Sequence, residues 1–394
     1  MAVVVCLHVP QRGAFCRSHE VMPMASTIGS ELHTGDGSDV LARMTAHGHE
    51  QVVFVSDPAS GYRGILAIHS TRLGPALGGT RLWSYATEDA ALTDALRLSE
   101  GMTYKAAAAG VPFGGGKAVV VADSRHVDRP ALFRAHGRAV ESLGGRYITS
   151  VDIGTSPDDM RYVREETTHV GGLPSTVGDP SPATAHGVQR AIEAALYHVR
   201  GTSDLAGRTV AIQGCGHVGY HLARMLHGAG ARLIASDTND ERASRVAREF
   251  GAEILPSEAI HTAKSDVFAP CAFGAGLSPA TIPDLRCAIV AGAANNQLLS
   301  DTDGALLEQH SIAYAPDFIA NAGGLIYLCQ EVAGWSAERV TSTLEGIFDT
   351  MSEVFAMASA RAIPSSEAAV RIARDRLAAR PPTASDKPRP TARS

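Results

Sequence analysis

The stretch Arg208-Thr209-Val210-Ala211-Ile212-Gln213-Gly214-Cys215-Gly216-His217-Val218-Gly219 decides the fold. Its first half is an apolar run of the kind buried on both faces of a parallel sheet. Its second half is a G-x-G-x-x-G turn, after which Leu222, Met225 and Leu226 continue at helical spacing until Gly228-Ala229-Gly230 stops them. A second strand-like run over 231–236 ends at Asp237, 18 residues after Gly219. Strand, glycine turn, helix, strand and acid, in that order, describe a dinucleotide-binding βαβ unit. In such a unit Gly214 permits the tight turn, Gly216 lets the backbone approach a pyrophosphate, and Gly219 lets helix and strand pack closely. Unpaired N–H groups at the helix start, on His217 and Val218, attract the anion. Asp237 would accept hydrogen bonds from the adenosine ribose and repel a 2′-phosphate, which favours NAD over NADP, although Arg242 nearby weakens that preference. The bland alternative is a structural glycine turn followed by a strand-end acid.

Working outward, further strand-like runs occur at 266–269 and 288–291, and helical sequence from Ser181-Pro182 runs through Ala191, Ala195 and Val199. Strands alternating with helices predict a parallel sheet covered on both faces. Nearer the N-terminus, Gln51–Val55 and Gly64–Ile68 read as strands joined by the turn Asp57-Pro58-Ala59-Ser60-Gly61. Thr87 is a suitable N-cap, Glu88 and Asp89 suit a first turn, and Leu92, Ala95, Leu96 and Met102 carry the helix on toward Lys105. Residues 336–380 return to amphipathic helix, with Leu344, Ile347, Met351 and Phe355 on one face. The fold class predicted is α/β in two domains, with the C-terminal helices returning to the first.

Composition narrows the function classes. Of 394 residues, 45% are hydrophobic and 19% charged, which excludes a disordered chain. Lys plus Arg number 35 against 41 Asp plus Glu, so nothing draws the chain to nucleic acid or an acidic membrane face. The six cysteines form no C-x-x-C pair and the 16 histidines no H-E-x-x-H, so no metal site or disulfide framework is expected. With no apolar run of about 18 residues, the expected setting is the cytoplasm. The 39 glycines exceed the usual share of about 7%, and their clusters suggest clearance around ligands.

One such cluster is Gly114-Gly115-Gly116-Lys117. It is not a phosphate-binding P-loop, because Val111 stands where the first glycine belongs and Ala118 replaces the Ser/Thr. Glycines beside a lysine let backbone and substrate crowd the amine. Desolvation there, and the nearby cation Lys105, would lower the amine's pKa and make Lys117 a base. A surface lysine on a flexible glycine loop is the alternative. Asp152, at the end of the strand-like Ile148-Thr149-Ser150-Val151, is either a site acid or turn chemistry. Asp179 before Pro180 reads as turn chemistry, and no catalytic role is assigned to His186 or His217.

Several segments together resemble the leucine/valine/phenylalanine dehydrogenases, relatives of glutamate dehydrogenase. They are 73–81 (LGPALGGTR), 101–105 (GMTYK), 114–117 (GGGK), 151–155 (VDIGT), 269–272 (APCA), 291–296 (AGAANN), 314–317 (YAPD) and 321–324 (NAGG). The resemblance runs from about His49 to about Ala379. It implies that Lys105 binds the substrate carboxylate and that Gly78 and Gly79 let the backbone close over it. Lys117 would be the general base that activates water, and Asp152 would shuttle protons at the amino nitrogen. Asn296 would help position the substrate, while Thr184, Cys271, Ala272 and Asn295, with the turn from Gly214 through Cys215 to Gly219, would lie along NAD.

By the same resemblance Leu77, Ser150, Leu325 and Leu328 line the side-chain pocket. None is a lysine that could hold a second carboxylate, which argues against glutamate. The bulk of Leu77 and Leu325 suits a branched aliphatic chain. Gly334-Trp335-Ser336 resembles phenylalanine-type members and Ser150 brings a hydroxyl, so an aromatic or non-standard amino acid is the alternative substrate. A non-catalytic NAD-binding regulator is a third reading. The expected division is a mobile extension 1–45, a substrate-binding and oligomerisation domain 46–182, a Rossmann domain 183–335, returning helices 336–380 and a disordered tail 381–394. A homo-oligomer is expected.

Overall fold

A computed structural model describes residues 39–123, 127–173, 178–272, 274 and 276–379. The expected mobile extension as far as residue 38, and the expected tail from 380, lie outside the described residues. Asp39 caps helix α1 (Val40–His47) through its side chain, and Val40 and Met44 pack against the core. Residues 40–45 are thus helical, where the sequence showed no sustained period. Eight residues give too few repeats for periodicity to register.

Strands β1 (Gln51–Asp57) and β2 (Tyr62–Ser70) form the expected hairpin, with Gly61 at φ 69° in its turn. Then come β3 (Ala76–Trp83) and α2 (Glu88–Ala109), whose N-cap Thr87 accepts the Ala90 N–H at 3.0 Å. Such a cap is worth about 1 kcal/mol. Next are β4 (Gly114–Val121), α3 (Arg129–Glu141), β5 (Tyr147–Val151) and α4 (Pro157–Glu166). The sheet runs β1-β2-β4-β3-β5; β2 is antiparallel to β4, and β3 is parallel to both β4 and β5. The strand period of two sends Ile65, Ala67 and Val119 to Leu92, Ala95 and Leu96 of α2. Leu66, Ile68 and Val120 face Leu132, Phe133 and Val140 of α3 and Met160 of α4 instead.

The second half follows the expected alternation. It comprises α5 (Ser181–Arg200), β6 (Thr209–Gln213), α6 (His217–Gly228), β7 (Arg232–Ser236), α7 (Asp240–Phe250) and β8 (Glu253–Ile254). Strands β9 (Val267–Pro270) and β10 (Ile289–Val290), helix α8 (Asp303–Gln309) and strand β11 (Ala313–Tyr314) complete it. All six strands are parallel, in the order β11-β10-β9-β6-β7-β8. This is the doubly wound Rossmann order, and its topological switch point lies between β6 and β9.

Helices α9 (Asp317–Ala320), α10 (Gly323–Ala333), α11 (Ala337–Glu345), α12 (Ile347–Arg361) and α13 (Ser365–Ala379) close the chain. The apolar face expected at Leu344, Ile347, Met351 and Phe355 is buried, and α12 packs on α5. The last helix returns to the first sheet. Arg374 donates to the Tyr104 hydroxyl at 3.0 Å, Arg376 to the Ala108 carbonyl at 2.5 Å, and Arg72 to the Ala378 carbonyl at 3.1 Å. No helix among the described residues is long and apolar enough to cross a membrane.

Candidate active site

Lys117 is the fourth residue of β4, in the middle of the first sheet, and is 5% exposed. It is therefore not a surface lysine on a loop. Its three preceding glycines are strand residues, and the room they leave is filled by protein. A Cβ on Gly115 would sit 2.1 Å from the Thr103 nitrogen of α2, and one on Gly116 would meet the Tyr147 ring at 2.7 Å. Gly114 likewise faces the Ser70 carbonyl. Gly78 and Gly79 on β3 are crowded in the same way. A Cβ there would meet the Gly116 carbonyl oxygen at 1.7 Å and the Val151 carbonyl oxygen at 2.4 Å. These five glycines let strands and a helix approach one another, which is how Lys117, α2 and the end of β5 come together.

Two residues past Thr103, α2 delivers the half-buried Lys105. Just past the end of β5, Asp152 meets Lys117, with Nζ 2.9 Å from Oδ2. The Asp152 backbone is pinned as its N–H donates to Thr155 Oγ1 at 2.8 Å. Arg81, on β3, donates from Nε to the same Oδ2 at 3.0 Å and from Nη1 to Asp94 Oδ2 at 2.8 Å. Asp94, on α2, also accepts from the Tyr85 hydroxyl at 2.5 Å and from Arg97 at 3.0 Å. Across from Lys105 stands Asp317 at the start of α9, close enough to act on its charge.

Burial sets the electrostatics. It pulls the Lys105 ammonium down to about 8 against the attraction of Asp317, and the charge of Lys117 adds to the drop. Burial also lowers Lys117, against Asp152 and with the help of Arg81. For Asp152 burial works upward, but the Lys117 and Arg81 cations outweigh it and hold the carboxyl at about 2. Desolvation raises Asp317, which is half-buried and answered mainly by backbone N–H groups.

The residues expected around the substrate side chain lie on three elements. Leu77 of β3 and Leu325 of α10 are buried in one core cluster, and Ser150 of β5 is buried. The segment at Gly171 and Gly172 runs between Ser150 and Leu328. A Cβ on Gly172 would be 3.0 Å from Ser150 Oγ, and one on Gly171 would be 3.0 Å from Leu328 Cδ1. Glu331, on α10, holds this segment by accepting the Gly172 N–H at 2.7 Å. Asn296 has φ 51°, and the next residue, Gln297, donates its N–H to Asp317 Oδ2 at 2.8 Å. Asn295 Oδ1 accepts from Asn321 Nδ2 at 2.8 Å, so α9 holds both ends of this turn.

At the switch point of the second sheet the Gly214–Gly219 turn leads into α6. Gly214 has φ 98°, and Gly219 packs so closely that a Cβ would meet the Gly214 carbonyl oxygen at 1.9 Å. Gly216 differs, because an added Cβ would find nothing within 4 Å. It stands at the N-cap of α6 without any side-chain cap, leaving the first N–H groups of that helix open. Asp237 Oδ2 accepts the Cys215 N–H at 2.7 Å and Oδ1 the Asn239 N–H at 2.8 Å. Each oxygen keeps a second lone pair for a ribose hydroxyl. Cys215 itself points inward, its thiol raised to about 12 by burial, and contributes backbone only. Ala272, exposed, flanks Gly214, with half-buried Cys271 beside it. Thr184, in the first turn of α5, lies against Gly324. Asp179 forms the expected turn, accepting the Ser181 N–H at 2.9 Å.

Sequence reasoning passed over Arg81, Asp94 and Asp317. Arg81 and Asp317 lie inside quoted segments, and a charged residue within an apolar strand was the available signal for Arg81. Asp94, half-buried, sits on α2 between the buried Ala91 and Ala95, and that position was the available signal for a carboxylate in need of a partner.

Residues 49–169 match the family described as "Glu/Leu/Phe/Val dehydrogenase, dimerisation domain". Residues 177–241 and 236–381 match "Glutamate/Leucine/Phenylalanine/Valine dehydrogenase". Leucine dehydrogenase of Thermoactinomyces intermedius is 47% identical over 337 residues, covering 85% of this chain and 92% of that protein. Phenylalanine dehydrogenase of Bacillus thermotolerans is 44% identical over 340 residues, covering 84% and 89%. Among solved structures, L-tryptophan dehydrogenase from Nostoc punctiforme superimposes with a TM-score of 0.77 at 41% identity, covering 86% of this chain and 98% of that one. With both halves matched in order, the chain belongs to the Glu/Leu/Phe/Val dehydrogenase family.

Proposed function

We propose that the protein catalyses the reversible, NAD-dependent oxidative deamination of a branched-chain L-amino acid. The amino acid, NAD and water give the 2-oxo acid, ammonium, NADH and a proton. The observation that carries this reading is the buried Lys117–Asp152 contact of 2.9 Å with a second lysine, Lys105, beside it. Leucine dehydrogenases at 44–47% identity over most of the chain support the substrate class.

In this reading the Lys105 ammonium pairs with the substrate α-carboxylate, which offsets the desolvation that weakens it. Asp152, held as a carboxylate by two cations, is in the form that accepts a proton from the substrate ammonium. Lys117, weakened as an acid by burial, loses its proton and then takes one from the water that attacks the imino carbon. Once Lys117 is neutral, Asp152 has lost one of the two cations that keep it ionised. Its affinity for a proton rises, and it returns that proton to the departing nitrogen. Leu77, Ser150, Leu325 and Leu328 would enclose the side chain, Asn296 would help position the substrate, and the backbone at Gly78 and Gly79 would close over its carboxylate.

The open space at Gly216 and the uncapped start of α6 fit the pyrophosphate of a dinucleotide. Gly214–Gly219, Asp237, Thr184, Cys271, Ala272 and Asn295 would hold it, and Asp237 favours NAD over NADP. The bound nicotinamide supplies the hydride acceptor. A homo-oligomer built on the first sheet accords with the "dimerisation domain" description of residues 49–169.

The test is the initial rate of NADH formation with L-valine, L-leucine, L-isoleucine, L-phenylalanine and L-tryptophan, run with NAD and with NADP. The expected outcome is the highest kcat/KM for an aliphatic branched substrate with NAD. A clear preference for an aromatic substrate would select the aromatic reading, which the similarity to the tryptophan and phenylalanine enzymes favours. Because a few methylenes discriminate by about 1–3 kcal/mol, neighbouring substrates should overlap. No turnover in either direction would refute both readings.

A further inference from the structure

One oxygen of Asp152 serves two cations. Lys117 Nζ and Arg81 Nε both point at Oδ2, at 2.9 and 3.0 Å. The two partners differ in kind. A guanidinium keeps its charge at every pH a protein survives, whereas an ammonium in a buried setting can give its proton up. Arg81 is itself anchored from behind. Its Nη1 is bound to Asp94 at 2.8 Å, and Asp94 is satisfied by Tyr85 and Arg97. Asp152, Asp94, Arg81 and Arg97 thus balance one another. The Lys117 proton is the surplus charge of the cluster.

We propose that Arg81 is a positioning residue which, by sharing the Asp152 carboxylate, keeps Asp152 ionised and aimed while freeing Lys117 to release its proton. This rests on the proposed deamination, in which Lys117 must pass through a neutral state. Without Arg81, Asp152 would belong to Lys117 alone, and the pair would lock as a closed ion pair. Charge repulsion from Arg81 works in the same direction as burial on Lys117, and both oppose Asp152.

The other charged or titratable groups bearing on the pair come from the elements around β4. From α2 these are Lys105, Asp94 and Arg97; from the β3–α2 connection, Tyr85; from β3, Arg81. From β5 comes Tyr147, whose hydroxyl donates to the Gly78 carbonyl at 2.6 Å and which burial keeps neutral. From α9 comes Asp317, whose charge acts on Lys105. Among these, Arg81 is the cation that touches Asp152 and does not take part in proton transfer.

The chain contains four lysines, Lys105, Lys117, Lys264 and Lys387, so the proton on Lys117 can be read directly. Full-length protein labelled with [ε-13C]lysine is titrated by NMR, with the Lys117 signal assigned through Lys117→Arg. In Arg81→Gln the Lys117 midpoint should move up by about one pH unit. The acid limb of the kcat/KM profile for oxidative deamination should move with it. Arg81→Lys, which keeps the charge, should return most of the shift. Asp94 keeps Arg97 and Tyr85 in Arg81→Gln. If that variant nevertheless fails to fold, Arg81→Gln/Asp94→Asn should show the same direction with a smaller shift, because the loss of Asp94 partly offsets the loss of Arg81.

A Lys117 midpoint that stays in place or falls, in a variant that melts like the wild type and binds NADH, would overturn the role of Arg81. The failure of the functional reading shows up separately. A wild-type protein that turns over no amino acid refutes the reaction, whereas the NMR midpoint still decides whether Arg81 governs the proton on Lys117.

Discussion

Two glycine clusters carry this molecule, and they do opposite things. At Gly114–Gly116 on β4, every missing side chain is replaced by other parts of the protein: a carbonyl of the 70s segment, the backbone of α2 and a tyrosine ring. At the turn into α6, Gly214 and Gly219 are also tightly packed, yet Gly216 faces open space. The first cluster positions charged side chains by letting helix and strand touch. The second leaves open space beside the uncapped start of α6. A glycine motif by itself therefore does not identify a ligand site, and neither does open space alone, which helix-end glycines such as Gly110 and Gly251 share with Gly216.

The difference can be attacked by substitution. The largest effect should come from Gly115→Ala. Its Cβ would lie 2.1 Å from the Thr103 nitrogen and 2.6 Å from the Ser99 carbonyl oxygen, both helix backbone that cannot swing away. We expect a loss of about 3 kcal/mol in stability by urea denaturation, and a large fall in kcat as Lys105 is displaced. A variant as stable as the wild type would mean that α2 does not depend on this contact. A smaller effect, of a different kind, is expected for Gly216→Ala. Its φ of −66° is ordinary and its Cβ has room, so stability should change by less than about 0.5 kcal/mol. NADH affinity, followed by fluorescence titration, should weaken about tenfold, which is about 1.4 kcal/mol. If stability fell while NADH bound normally, the open space at Gly216 would have another purpose.

The same contrast explains how much could be read from the chain alone. The second sheet was legible because β6, β7 and β9 are apolar runs broken by glycine turns, and the order of strand, turn, helix and acid has few other meanings. The run at 288–291 holds β10, whereas β8 and β11 have two residues each, too short for any period to stand out. The first sheet was half hidden. Its hairpin and α2 carry the standard signals, but β4 opens with three glycines, and glycine argues for a turn until a neighbour is known to need the space. The five crowded glycines were accordingly expected to clear room for substrate, and most of that room belongs to the fold.

At the site, Lys105, Lys117 and Asp152 were visible as residues, and folding brings them together. The second partner of Asp152 was not. Arg81 lies 71 positions from Asp152, and only the parallel pairing of β3 with β5 sets them side by side. Asp317 is 212 positions from Lys105, and the packing of α9 on α2 sets the two near each other. Long-range electrostatic partners of this kind are a property of topology, and local pattern does not encode them.

In the proposed reaction this site makes and breaks a carbon–nitrogen bond with a nicotinamide as the hydride carrier. The most direct measurement supplies the 2-oxo acid of leucine or valine, 15N-ammonium and NADH, and follows the label by mass spectrometry. The expected result is 15N-labelled L-amino acid formed mole for mole with NADH consumed, and a loss of about 10³-fold in Lys117→Ala with NADH binding unchanged. NADH oxidation without nitrogen incorporation, or undiminished incorporation by Lys117→Ala, would contradict it.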